Sequence, residues 1–256
     1  MKTYLRDVTF LLLVRLDSIE RMENLLIITE QLCRHFDTNI VVLEADKRYT
    51  NILKKILNKH IHYIFVEDKD PVLYKTFYFN RMAQKVITPY LAIWDADIVI
   101  DKNAIITAVK NLRKGMDVAF PYNGQCYDVS PVIRELYLRK NDIRILYRHK
   151  NKMDLFHNRS LVGGAIFVRM DKYKYCGMEN ENHYGWGNDD FDRYYRLKTL
   201  GMNIYRSENP LFHLFHPRLK NSTFRSFLHN QKTNRELSKT ENSSLQELLT
   251  DLRNKE

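Results

Sequence analysis

The sequence predicts an α/β fold, in which a mostly parallel, Rossmann-like central sheet is flanked by helices. Two observations indicate this class. Short apolar segments alternate with segments of helical periodicity in the first half of the chain, and a pair of aspartates directly follows one apolar segment. Alternating strands and helices are typical of a doubly wound sheet. Ligands of such sheets bind at the carboxyl ends of the strands, so we expect the polar chemistry there.

Four strands and three helices are predicted in the first half. Short apolar runs are typical of buried parallel strands, and they occupy residues 9–16, 39–44, 62–66 and 90–94. Apolar side chains recur with the period of one helix face from Met22 to Phe36. Two further helices are predicted at 50–58 and 77–88, the second ending before Pro89 because a residue that precedes proline disfavours helix.

The second half is less regular. Helices are predicted at 102–113, 131–148 and 189–200, and the last of these ends at Gly201, a residue common just beyond helix ends. Strands are predicted at 117–120, 164–169 and 203–206. A polar, basic tail begins at Leu219 and carries a final helix at 243–252.

Composition limits the class of protein. The chain has 256 residues, of which 44% are hydrophobic, and this fits either one large α/β domain or one domain with a small appendage. Cys33, Cys126 and Cys176 form an odd, sparse set that argues against a disulfide framework and favours a reducing compartment. No apolar run approaches the roughly 20 residues of a membrane-spanning helix, and we expect no signal peptide. The net charge of +10 suits anionic ligands or an acidic membrane surface, although a solvated basic surface would look the same.

The aspartates at the end of the fourth strand are candidate metal ligands. Asp95 and Asp97 stand two residues apart after an apolar strand, so one can bind a divalent ion while the other binds a ribose hydroxyl or the same ion. Carboxylate oxygens suit magnesium or manganese. The structural alternative is an acidic turn that merely ends a strand.

A second acidic segment begins with glycine, tryptophan and glycine. Asn188 has the position of a helix N-cap and acidic residues follow it, a pattern that the helix dipole favours without any function. The glycines that flank Trp186 free the backbone, however, so this side chain could move as a lid over a sugar.

Histidines and arginines complete the candidate set. His213 and His216 are three residues apart and could share one metal with a carboxylate. Arginine forks suit diphosphate oxygens, and two positions offer them: Arg15, with Asp17 beside it, and Arg81.

In this order, these segments resemble the β-1,4-galactosyltransferase family, with its relatives among chondroitin polymerases and polypeptide N-acetylgalactosaminyltransferases. Phe79-Asn80-Arg81 is similar to the family's FNRA segment and Asp95-Ala96-Asp97 to its DVD. Gly163-Gly164 looks like its paired glycine, residues 185–192 resemble GWGGEDDD, and His213 and His216 have the spacing of its Met-x-x-His pair.

The resemblance implies a GT-A domain over residues 1–218, with a nucleotide-sugar half at 1–120 and an acceptor half at 121–218, followed by a basic helical tail at 219–256. It implies a metal-dependent inverting transferase that moves a hexose or N-acetylhexosamine from a UDP-sugar to a carbohydrate or lipid-linked glycan. Manganese, or magnesium, is the expected cofactor.

The resemblance also implies the role of each site residue. Asp190 is the expected catalytic base, and the acceptor-binding residues are Gly164, Trp186 and Asp189. The expected metal ligands are Asp97, His213 and His216. The expected donor-binding residues are Arg15, Asp17, Arg21, Arg81, Asp95 and Asp97.

Departures from the family pattern shape the remaining expectations. Asn188 replaces a glycine and Phe191 an aspartate, and the family's anchor, stem and disulfides are not seen. We therefore expect a cytoplasmic relative, peripheral to the inner face of a membrane, that acts in surface polysaccharide synthesis. The alternatives are an inactive sugar-binding relative, a retaining transferase, or a metal-dependent nucleic-acid-processing protein. Since no nucleic-acid motif is recognisable, we expect no nucleic-acid partner.

Overall fold

The computed structural model describes residues 1–253 apart from 158, 220 and 222. The strands are β1 (Thr3–Val14), β2 (Phe36–Asp46), β3 (His62–Glu67), β4 (Tyr90–Trp94), β5 (Ile98–Val99), β6 (Val118–Phe120), β7 (Cys126–Val129), β8 (Asp154–Leu155), β9 (Ala165–Arg169), β10 (Ile204–Arg206) and β11 (Leu211–Leu214). The helices are α1 (Ile19–His35), α2 (Ile52–Ile56), α3 (Lys75–Ala83), α4 (Lys102–Arg113), α5 (Pro131–Lys140), α6 (Arg144–Arg148), α7 (Met170–Tyr175), α8 (Asp189–Thr199), α9 (Phe227–Asn242) and α10 (Leu245–Arg253).

The central sheet has seven strands in the order β10-β6-β9-β4-β1-β2-β3. Its pairs are parallel except where β9 runs against β4 and β6, so the predicted mostly parallel sheet flanked by helices is confirmed. Apolar rings fill its core. The ring centroids of Phe10, Trp94 and Phe167 lie 5.5–5.8 Å apart in tilted or edge-on contacts.

The reversed strand β9 places a glycine pair beside the aspartates. Trp94 at the end of β4 pairs with Ala165 at the start of β9, and the Asp95 N–H donates to the carbonyl of Gly164 over 2.8 Å. Residues distant in the chain therefore meet at the carboxyl end of β4.

A second sheet, of four short strands in the order β5-β11-β7-β8, borders the aspartate turn that follows β4. His213 of β11 pairs with Ile98 of β5, and the Leu214 N–H donates to the Asp97 carbonyl over 2.8 Å. The backbone pairing alone thus fixes the histidine strand beside the aspartate turn.

Several predicted elements need correction. The helix predicted at 77–88 begins earlier, at Lys75, and ends at Ala83. The helix predicted at 131–148 is two helices, because Asn141 adopts a left-handed conformation (φ 47°) and ends α5.

In the tail, α10 overlaps the predicted final helix, whereas α9 was not predicted as an element. The predicted division at 218 stays a prediction, and residues 220, 222 and 254–256 of the predicted tail lie outside the described residues. Within the described ranges, no helix combines the length and the apolar composition that a bilayer crossing requires.

Candidate active site

A cavity of about 440 Å³ opens at the carboxyl end of β4. Its walls come from the aspartate turn after β4, the second sheet, the segment that leads into α8, and the region around the start of α9. Most of the polar residues that the sequence singles out therefore face one space.

Three predicted metal ligands form a compact group on one wall. Asp97, His213 and His216 are buried, and one potential ligand atom of each lies within 4.8 Å of the others. The His216 Nε2 is 3.2 Å from Asp97 Oδ2, and the His213 Nε2 is 3.8 Å from the same oxygen.

Both imidazoles are oriented by contacts on their other nitrogen. The Nδ1 of His213 lies 2.8 Å from Asp128 Oδ1, and that of His216 lies 2.9 Å from the Pro217 carbonyl. If each Nδ1–H donates to these oxygens, each Nε2 presents its lone pair toward Asp97, as in many metal sites. Burial raises the pKa of Asp97, but when His213 and His216 instead carry protons on Nε2 they outweigh burial and hold this pKa below its usual value. A carboxylate with two imidazoles fits a divalent transition ion better than magnesium, which prefers an all-oxygen shell.

A lysine that the sequence analysis did not predict binds three carboxylates of the cavity. The Nζ of Lys75 lies 3.4 Å from Asp95 Oδ1, 3.4 Å from Asp189 Oδ2 and 3.6 Å from Asp190 Oδ2. It also lies 5.9 Å from the ring centroid of Phe79, one helical turn later. Both residues line the cavity. The spacing of Lys75 and Phe79 by one helical turn is therefore the sequence feature that could have identified Lys75.

The pKa values of the three carboxyl groups around Lys75 shift in different directions. Burial raises the pKa of Asp95 to about 6, with Lys75 opposing and Asp190 adding to the rise. Burial also raises the pKa of Asp189, against the pull of Lys75. Burial acts to raise the pKa of Asp190 as well, but Lys75 and Arg193 outweigh burial and lower this pKa. Asp190 is therefore the one of these three carboxyl groups whose pKa is lowered, and its ionised form is the most strongly stabilised of the three.

Asp190 is fixed in direction as well as in charge. Arg193 donates from Nη2 to Asp190 Oδ1 over 2.5 Å, while its Nη1 donates to Glu179. The other oxygen, Oδ2, faces Lys75 and the backbone of Gly163, where a Cβ would come within 2.3 Å of it. The paired glycine thus leaves room for the carboxylate.

The segment that carries Trp186 is held by the tail. Trp186 lines the cavity and its ring lies 5.0 Å from that of Phe224. The Thr233 hydroxyl donates to the Gly187 carbonyl over 2.7 Å. Asn188 stands at the predicted N-cap position, but its φ of 64° is left-handed and its side chain makes no capping bond; instead its Nδ2 donates to Asn234.

Three predicted donor-binding residues do not line this cavity. Arg15 is buried, and its guanidinium donates to the carbonyls of Ala45 and Asp70 and to the Asp68 carboxylate, so its nitrogens already bond to the protein. Arg81 is exposed on another face of α3, with its guanidinium 5.2 Å from the Phe77 ring centroid. The predicted contacts of these two arginines with the nucleotide stay predictions, and neither side chain lines the cavity.

Asp17 is the third of these residues, and it serves its neighbour. Its Oδ1 lies 2.7 Å from the Nε of Arg21. Arg21 does line the cavity, and its Nη1 is 3.8 Å from Asp97 Oδ2.

Two cavity arginines were not predicted: Arg159, 3.6 Å from the Phe191 ring centroid, and Arg218, which follows His216 closely. Gly164, predicted for the acceptor, lines the cavity too.

Comparison with known proteins relates part of the chain to galactosyltransferases. A family model described as the N-terminal domain of galactosyltransferase matches residues 147–218. The human beta-1,4-galactosyltransferase 7 is 23% identical over 179 residues, which cover 67% of this chain and 43% of that protein. The Mus musculus protein of the same name is 24% identical over 119 residues, covering 46% and 27%. The chain thus spans less than half the length of these curated relatives.

Solved structures show the same fold. The catalytic domain of Drosophila beta1,4galactosyltransferase 7 with xylobiose superposes with a TM-score of 0.53 at 16% identity, covering 93% of this chain and 82% of that one. A mutant of the Drosophila protein with manganese, UDP-Gal and xylobiose gives a TM-score of 0.56 at 16% identity, covering 88% and 79%. GalNAc-T7 with UDP, GalNAc and Mn²⁺ gives 0.58 at 12% identity, covering 91% and 47%.

The chain shares the fold of solved GT-A glycosyltransferases. Over part of its length its sequence is similar to β-1,4-galactosyltransferases, the family that the order of its motifs resembles.

Proposed function

We propose that this protein transfers a hexose or N-acetylhexosamine from a UDP-sugar to a carbohydrate or lipid-linked glycan, with inversion and with a divalent metal. One observation supports this most directly. A single cavity holds both a group of one carboxylate and two imidazoles and a further carboxylate, Asp190, whose pKa is lowered and which Arg193 fixes in place. The departure of a leaving group and the attack of a hydroxyl need these two kinds of environment.

The donor side of the proposal rests on the metal group. Asp97, His213 and His216 would hold the ion, and a bound ion supplies Lewis-acid stabilisation of the departing diphosphate. The Drosophila mutant with manganese and UDP-Gal supports manganese as that ion. Arg21, Arg159 and Arg218 line the same cavity and are placed to add positive charge near the diphosphate.

The acceptor side of the proposal rests on Asp190. Because its pKa is lowered and Arg193 fixes one of its oxygens, the carboxylate can accept a proton from an acceptor hydroxyl through its Oδ2. Asp189, whose pKa is raised, is suited to hydrogen-bond the acceptor. Trp186 against Phe224 closes one side of the cavity and would exclude water that otherwise hydrolyses the donor.

A screen of UDP-sugars with manganese, scored by UDP release with and without oligosaccharide acceptors, tests the proposal. We expect one donor to be turned over, and Asp190→Asn to lower that rate by about 10²–10⁴-fold, the range for loss of a general base. The exposed Asp171, changed to asparagine, is the matched control and should keep the wild-type rate. Full activity of Asp190→Asn would remove the residue from this role.

Three further measurements separate the alternatives. An inactive sugar-binding relative would bind a UDP-sugar without releasing UDP. A retaining transferase would give a product whose anomeric configuration, read by NMR, matches that of the donor. A nucleic-acid-processing protein would bind DNA or RNA with a steep dependence on salt.

We further propose a cytoplasmic enzyme of surface polysaccharide synthesis. The support is indirect: three cysteines without disulfides and a net charge of +10, which suits an anionic surface. Loss of a surface glycan on deletion of the gene, with the protein found in the cytosolic and inner-membrane fractions, is the expected result. A secreted protein or an unchanged surface would overturn it.

A further inference from the structure

Exposed apolar side chains lie where the tail meets the cavity. Phe227 and Leu228, the first two residues of α9, are 73% and 71% exposed. They follow the N-cap Ser226, whose hydroxyl accepts from the backbone N–H of His229, so a capped helix end displays them. Side chains of this size are seldom displayed together in water without a partner.

This pair borders the mouth of the cavity. Phe224, three residues before Phe227, lines the cavity and contacts Trp186. Asn230, nearly one helical turn after Phe227, lines it as well. Whatever contacts Phe227 and Leu228 therefore lies next to the entrance that an acceptor would use.

The surroundings of the pair are basic. From residue 218 to residue 235 the sequence contains no acidic residue, and its five basic residues are Arg218, Lys220, Arg225, Lys232 and Arg235. Lys232 and Arg235 follow Leu228 by four and seven residues, so they share its face of α9, and both are exposed. We call Phe227, Leu228, Lys232 and Arg235 the cavity-mouth patch.

We propose that the cavity-mouth patch seats this protein on a bilayer rich in anionic phospholipid, with the cavity opening toward the headgroups. Helices that lie in the membrane interface combine apolar side chains with lysine or arginine in this way, and basic residues add attraction to an anionic leaflet. Delivery of a lipid-linked acceptor to the cavity rests on the proposed function, whereas the membrane contact itself does not.

Charge argues against a second copy of the chain as the occupant. A two-fold interface would bring the same patch of each copy face to face. The cations at Lys232 and Arg235 would then oppose their equivalents in the other copy.

Co-sedimentation with extruded vesicles tests the proposal, using pure phosphatidylcholine and a mixture with phosphatidylglycerol. We expect wild-type protein to bind the anionic vesicles preferentially. The double variant Phe227→Ser/Leu228→Ser should bind them at least about tenfold more weakly, because two buried apolar side chains are lost. Lys232→Gln/Arg235→Gln should weaken binding to the anionic vesicles alone.

Ile87→Ser is the matched control. Ile87 is 98% exposed and precedes β4, so it lies at the end of that strand opposite to the cavity; its variant should bind like the wild type. UDP release from a soluble donor should be unchanged in all three variants, which separates this proposal from the proposed function. Three results would each overturn the membrane contact: wild-type protein that ignores anionic vesicles, a double variant that binds like wild type, or a wild-type dimer that the double variant converts to a monomer.

Discussion

Replacement of Lys75 by methionine tests how the site is held together. The change keeps the length of the side chain but removes the one ammonium that lies within 3.6 Å of three carboxylates. At 3.4 Å and an effective dielectric constant of about 20, each such attraction is about 5 kcal/mol before desolvation is counted. Breaking a buried ion pair by removing one partner costs roughly 3–5 kcal/mol. Since the Lys75 side chain retains 21% exposure, we expect the lower end, a loss of about 3 kcal/mol in the free energy of unfolding.

The loss should depend on pH with a definite sign. In the wild type the pKa of Asp190 is lowered in the folded state, so its contribution to stability is present above the ordinary value of 3.8 and is lost as the pH falls through the folded pKa. Without Lys75 the carboxylates repel one another at neutral pH, and proton uptake relieves this. Asp95, whose pKa is already about 6, would take up a proton first. The penalty should therefore shrink between about pH 7.5 and about pH 5.

Urea unfolding at these two pH values measures the effect. Lys75→Arg retains the charge and should lose less than half as much stability as Lys75→Met. Lys85→Met, at an exposed position near the end of the same helix, should change stability by no more than about 0.5 kcal/mol. A loss below about 1 kcal/mol for Lys75→Met, or an equal loss at both pH values, would show that Lys75 does not neutralise this cluster.

Further predictions concern the two walls of the cavity. Asp128→Asn should weaken manganese binding by about 10–100-fold, because Asp128 orients His213; titration calorimetry measures this, with Asp154→Asn as the exposed control, and equal affinities would contradict it. Gly163→Ala should lower transferase turnover because its Cβ would meet Asp190; a wild-type rate would show that the carboxylate can move aside. Thr233→Val removes the bond to the segment around Trp186 and should increase protease cleavage there, whereas an unchanged digestion pattern would refute this.

The periodicity of the sequence predicts the regular elements well. The predicted bounds of β4 and α4 are the observed ones, because an apolar strand next to an amphipathic helix leaves a clear pattern. The strands of the second sheet have two to four residues each, too few to show a period. The direction of β9 leaves no mark in its composition, since a strand buried on both faces is apolar whichever way it runs.

There is also a physical reason why the sequence did not predict helix α9. The inner face of α9 is marked by Thr233 and Thr240, which are buried through hydrogen bonds to Gly187 and Asp192 rather than through apolar contacts. A search for apolar periodicity passes over such a helix.

Motif order predicted which segments converge, but not the direction of every side chain. Asp97 and the two histidines meet because strand pairing brings β5 and β11 together. The nucleotide contacts predicted for Arg15 and Arg81 rest on residue type and on resemblance. Neither criterion shows that Arg15 is buried among carbonyls or that Arg81 faces solvent. The helical period, by contrast, places Lys75 and Phe79 on one face of α3, and that face is the one that lines the cavity.

Manganese binding followed by electron paramagnetic resonance, with and without UDP, tests the central claim most directly. If Asp97, His213 and His216 form the metal site of the donor pocket, the wild type should bind one ion per chain and hold it more tightly with UDP. The double variant His213→Ala/His216→Ala should lose both effects while Asp190→Asn keeps them. Manganese binding that survives in the double variant, or that UDP leaves unchanged, would contradict the account.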